Sequence, residues 1–211
     1  MSTPPDRRAR KRAATQQQIS DAATRLFLER GFDAVTVDDV AAAADVGRMT
    51  VFNHFPRKED MFFDRDEEGR ARLREALRQR GTLAPVEALR RLAHALVDER
   101  SPYLEFSAAS QGFIETIAGS ETLKARARAI RDELAQEVMT GLCEAVGREP
   151  GDPAAHLAAS LLLATWTVAF VQAHRTFRQK RSSKDATALF LALVDKGSAG
   201  LQAAMAGTPY V

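Results

Sequence analysis

The chain is poor in residues that interrupt helices or cross-link loops: its 211 residues hold 12 glycines, 8 prolines and one cysteine, Cys143. A single cysteine excludes an intrachain disulfide. No group of cysteines and histidines has the spacing of a zinc site, so neither a metal nor a cofactor is expected. No apolar stretch precedes Ile19, which argues against a secretory signal and for the reducing cytoplasm. An excess of one charge is also missing: the formal net charge is +2, too small to imply a nucleic-acid partner by itself. What the chain has in abundance is alanine, 38 residues, and leucine, 20, a balance that favours long helices and makes an all-β or α/β fold a poor expectation.

Signatures of catalysis are absent as well. No nucleophile elbow or phosphate loop occurs, and His54, His94, His156 and His174 are scattered along the chain, so no catalytic residues are expected and the protein is not read as an enzyme. The longest run without a charge, residues 157–173, approaches the length of a membrane span. It contains Ser160, Thr165, Thr167 and Gln172 and is flanked by His156 and His174, so a helix buried within protein is the expected form, with no membrane partner.

The charge distribution says more than its sum. Arg7, Arg8, Arg10, Lys11 and Arg12 face only Asp6, and Pro4 and Pro5 precede them, so residues 1–14 read as a mobile basic arm. At Thr15 a helix is expected to open with a capping box to Gln18. Ile19, Ala22, Ala23, Leu26 and Phe27 then form one apolar face, and Gly31 ends the helix where a left-handed residue is needed. A second box follows, Thr36 with Asp39, while Val35 and Val40 sit where a hydrophobic staple would clamp the helix start. The short helix from Val37 to Ala44, the turn Asp45-Val46-Gly47 and a second short helix from Arg48 to about Phe55 predict a helix-turn-helix. Val40, Val46 and Val51 would plug the space between its helices and Ala41 would let them approach. The outer face of the second helix then carries Arg48, Met49, Thr50, Asn53 and His54. Arginine and asparagine are the residue types that pair bidentately with guanine and adenine edges in a major groove.

The stretch from Val37 to Phe63, and within it Thr50-Val-Phe-Asn-His-Phe followed by Lys58-Glu-Asp, closely resembles the DNA-binding signature of the TetR family of bacterial transcriptional regulators. The resemblance covers about residues 15 to 63. It implies an all-α fold: an N-terminal three-helix DNA-binding domain over residues 15–60 with a helix-turn-helix, then a larger helical regulatory and dimerisation domain over residues 61–211. Residue by residue, it puts Arg48, Met49 and Thr50 at bases or the nearby backbone, with Thr36, Phe52, His54 and Lys58 gripping the backbone. Departures bear on specificity. Phe52 replaces a common tyrosine and loses its hydroxyl, Asp45 stands where glycine is usual, Met49 takes a position often held by a small residue, and Pro56-Arg57 replaces the usual polar cap.

Beyond the signature the helical pattern continues from Lys58 to Arg80, then over residues 86–100, 102–118, 121–146, 153–177 and 184–206. The resemblance implies that the last two helices build a homodimer, which gives residues 157–171 a place to bury their apolar surface. Tyr103, Phe106, Phe113, Met139, Cys143, Trp166 and Phe170, with Gln111, Glu115 and His174, are the expected lining of an effector pocket. The expected function is a repressor that binds a near-palindromic double-stranded DNA operator as a homodimer and is released by a small-molecule effector. The alternative is a helical protein-interaction adaptor without specific DNA binding.

Overall fold

The structure, a computed structural model, describes residues 7–211. All regular structure among these residues is helical: α1 (Arg7–Arg30), α2 (Val37–Ala43), α3 (Arg48–His54), α4 (Lys58–Phe62), α5 (Asp66–Arg78), α6 (Pro85–Asp98), a 3-10 turn (Pro102–Leu104), α7 (Ala108–Gly119), α8 (Glu121–Val146), α9 (Pro153–Lys180) and α10 (Ser183–Ala204). The chain divides into two compact units. One comprises residues up to 65 together with residues 112–126, and the other residues 66–111 and 127–211.

In the N-terminal unit, α1 buries Ile19, Ala22, Ala23, Leu26 and Phe27 on one face. It stops where expected: Gly31 takes φ +81°, and its N–H donates to the Phe27 carbonyl at 3.0 Å. Its start differs from the expectation. The helix begins at Arg7, so residues 7–14 are helical, and residues 1–6 of the expected arm lie outside the described residues. Thr15 does not cap; its hydroxyl donates to the Lys11 carbonyl at 3.0 Å, and Gln18 Nε2 reaches the Ala44 carbonyl at 2.8 Å. The physical reason is propensity. Arginine, lysine and alanine are strong helix formers, and a threonine inside a helix can satisfy itself on the preceding turn.

The second box forms as written in the sequence. Thr36 Oγ1 accepts the Asp39 N–H at 3.1 Å and Asp39 Oδ2 accepts the Thr36 N–H at 2.8 Å. The Thr36 hydroxyl also donates to Asp39 Oδ2 at 2.5 Å, and this bond first, the Thr36 N–H second, holds the Asp39 carboxyl below its ordinary pKa. Asp45 adopts the left-handed φ of +48° that the turn requires, and the Val46 N–H closes on the Ala41 carbonyl at 3.0 Å. Val35, Val40, Val51 and Phe55 are buried in one cluster with Phe27, Phe32 and Phe62.

The helix expected to continue from Lys58 to Arg80 is interrupted at residues 63–65. Packing decides this: the Phe63 ring stands edge-on to Phe62 at 5.2 Å, and Phe62 stacks on Phe113 at 4.4 Å. Residues 112–126 complete the unit, Ser120 Oγ donating to Asp33 at 2.8 Å and Arg126 lying 3.4 Å from Asp60.

In the second unit α5, α6, most of α8, α9 and α10 enclose two apolar clusters. One centres on Leu89, Leu142, Ala158 and Tyr210, the other on Phe106, Ala169 and Phe190. α9 opens on the Asp152 cap with Pro153 at its first position, and α10 on the Ser182 cap. The helix expected over residues 102–118 is a 3-10 turn followed by α7, because Ser107 and Ser110 cap each other reciprocally and restart the chain at Ala108. α9 and α10 lie close enough that a methyl on Gly197 would fall inside the Thr165 side chain. Arg70, 12% exposed, joins Asp66, Glu133 and Glu137 at 2.8–3.1 Å and so ties α5 to α8.

Candidate nucleic-acid interface

The reading helix is short, and its direction is set from behind. Val51 and Phe55 are buried, which leaves the opposite face of α3 outward. On that face Met49 is 70% exposed, Phe52 is 36% exposed, and Arg48 and Asn53 are exposed beside them. Gly47 caps the helix in an extended conformation without a side chain, so the first amides of α3 remain open in front of the turn. Thr50 is half-buried and Thr36 is exposed at the start of α2, its side chain committed to the box with Asp39.

The arrangement offers a cation and an amide on a helix that projects from a packed head, flanked by a large flexible apolar side chain. Hydrogen bonding to base edges and apolar contact with thymine methyls are the chemistry it can perform. Arg48 is already oriented: Nη1 donates to Asp38 Oδ2 at 2.7 Å, and the guanidinium carbon lies 5.6 Å from the Phe52 ring centroid. Sequence reading missed Asp38, which sits on the preceding helix and shows nothing by itself that marks it as a partner of Arg48.

The remaining expected residues are not all on this face. Lys58, expected to grip phosphate, instead donates from Nζ to the Val35 carbonyl at 2.7 Å and lies 4.1 Å from the Phe32 ring centroid. Burial pulls its pKa below the ordinary 10.5, against the pull of Asp33 and Glu59 in the other direction. His54 is half-buried, and its Nδ1 is enclosed without a hydrogen-bond partner among the described residues.

This head matches the sequence model of the bacterial regulatory proteins of the tetR family over residues 19–64. The head is similar to that family's model, and the likeness stops at residue 64. MftR of Mycobacterium tuberculosis, named for regulation of mycofactocin biosynthesis, is 45% identical over 49 residues, which are 23% of this chain and 25% of that protein. The repressor DhaR of a Mycobacterium species is 40% identical over 48 residues, 23% of this chain and 24% of its own length. The chain therefore aligns with about a quarter of the length of these curated relatives. The fold extends further than the sequence likeness. FadR of Thermus thermophilus, a TetR-family repressor solved in complex with lauroyl-CoA, superposes with a TM-score of 0.56 over 88% of this chain and 92% of its own, at 23% identity.

The residues expected to line an effector pocket divide between the units. Phe113 and Glu115 belong to the N-terminal unit, Phe113 stacked on Phe62, and this corrects their assignment to a pocket in the larger unit. Sequence spacing had no access to that stacking. In the second unit Phe106 and Phe170 meet His174 edge-on at 5.0 and 4.5 Å. Trp166 adjoins both apolar clusters, Met139 and Cys143 are buried in the first, and Tyr103 lies in the same unit beside Gly69. Both ring nitrogens of His174 and Nε1 of Trp166 are buried without a hydrogen-bond partner among the described residues.

Proposed function

We propose that this chain is a transcriptional repressor of the cytoplasm that binds a near-palindromic DNA operator as a homodimer and lets go of it when a small molecule binds the larger helical domain. The observation that carries this reading is the outward face of α3, where Arg48, Met49 and Asn53 project while Val51 and Phe55 hold the helix from behind. In this reading residues 15–60 are the DNA-binding domain and residues 61–211 the regulatory one. Arg48, Met49, Thr50 and Asn53 meet bases, and Thr36, Phe52, His54 and Lys58 meet the sugar-phosphate backbone.

Dimerisation is supported by α9, on which Leu157, Val168 and Val171 are 50%, 53% and 41% exposed, a surface that a second copy would cover. Two heads related by a twofold axis read half-sites about 34 Å apart, or a multiple of it, which is why the operator is near-palindromic. An effector is supported by the partnerless nitrogens of His174 and Trp166, since a buried polar atom gains when a ligand supplies its partner. Selection of bound duplexes from a random pool tests the core of the reading. It is expected to enrich an inverted repeat whose affinity falls steeply with salt. A pool that stays random at low ionic strength would leave the adaptor reading in its place.

A further inference from the structure

Arg48 opens α3 and, on the function proposed above, is the side chain suited to a guanine edge. Its guanidinium is held from two sides. Asp38, on the first turn of α2, takes Nη1 at 2.7 Å, and Phe52, one turn further along α3, lies under the guanidinium carbon at 5.6 Å. A guanidinium presents five donors in one plane. With one end fixed by a carboxylate and its face set against a ring, the plane is fixed, and Nε and Nη2 point to no other acceptor among the described residues.

We propose that Asp38 is a specificity-determining positioning residue, orienting Arg48 for a bidentate contact with guanine while touching no base itself. Two physical arguments support this. The pair is solvent-exposed, 58% for Arg48 and 63% for Asp38, and exposed ion pairs contribute little to folding, so orientation is what the contact provides. A carboxylate beside a duplex is also repelled by the phosphates. Asp38 therefore weakens binding to DNA of any sequence, while sharpening the choice among sequences. A residue that merely supports the fold would move both quantities in the same direction.

The inference rests on the DNA-reading assignment, and the test separates the two. Sites are selected from a random duplex pool by the full-length protein and by Arg48→Ala, Asp38→Asn and the double variant, with thermal unfolding measured for each. Arg48→Ala is expected to lose the preference for one G·C pair in each half-site. Asp38→Asn is expected to reduce that preference about fivefold, part of what a bidentate pair supplies, while binding of an unrelated duplex at the same salt holds or rises. In the Arg48→Ala background, Asp38→Asn changes nothing further at that pair. Full retention of the preference in Asp38→Asn overturns the inference. So does uniform weakening on every duplex with a lowered melting temperature, or an Arg48→Ala variant that still selects the same motif. A parent protein that enriches no sequence overturns the proposed function itself.

Discussion

Acid should find the second unit through one histidine. His174 lies on α9, 4% exposed, among Phe106 and Phe170, and burial lowers its pKa from the ordinary 6.5 to about 4. The unfolded chain takes up this proton as pH falls through 6.5, whereas the folded chain resists until about pH 4. The His174 contribution is thus fully present above pH 6.5, declines between the two values and is flat below about 4. The slope in that window is about 1.4 kcal/mol per pH unit, which accumulates to about 2 kcal/mol at pH 5. His174→Phe removes the titration and replaces partnerless nitrogens with a ring of similar size. Urea unfolding of both proteins, at equal chain concentration and at several pH values between about 7.5 and 5, isolates the term because every other group is shared. Wild type should lose about 2 kcal/mol more than the variant over that range. Parallel curves for the two proteins, or a folded-state imidazole that titrates at its ordinary value by NMR, would refute the reasoning.

Three further outcomes follow from named contacts. Gly197→Ala should destabilise the second unit by about 1 to 3 kcal/mol in chemical denaturation, since the new methyl collides with Thr165 and forces α9 and α10 apart; an unchanged midpoint would mean the helices can slide freely. Val168→Glu, at a position 53% exposed, should leave the fold intact and weaken self-association by about 2 kcal/mol or more through burial of an unpaired charge, read by sedimentation equilibrium in the ultracentrifuge. An unaltered association constant would place the dimer surface elsewhere. Lys58→Ala should weaken binding to all duplexes alike and flatten the salt slope by about one unit if its ammonium leaves the Val35 carbonyl for a phosphate on binding. If the slope is unchanged and only the melting temperature falls, Lys58 acts inside the head alone.

How much of the head was legible depends on how far apart the interacting residues lie. The Thr36–Asp39 box spans three residues and the Gly31 stop is set by the φ of one, and both appear in the structure as the sequence predicts. Thr15 shows the limit of such reading. Its spacing to Gln18 fits a box, yet the strong helix formers before it carry α1 back to Arg7 and convert the hydroxyl to a bond within the helix. Arg48 and Asn53 on an outward face followed from the period of α3 and the burial of Val51. The inward turn of Lys58, the stacking of Phe113 on Phe62 and the hold of Asp38 on Arg48 did not.

An all-helical chain with a capped helix-turn-helix follows from local pattern alone, because caps, turns and apolar periodicity act over distances of four residues or fewer along the chain. Where the side chains of that head point, and which aromatic residues share a core, depends on contacts made after the helices assemble. Such contacts join residues far apart in sequence, as with Ser120 on Asp33 and Phe62 on Phe113, and are selected by the packing of whole helices rather than by any local pattern.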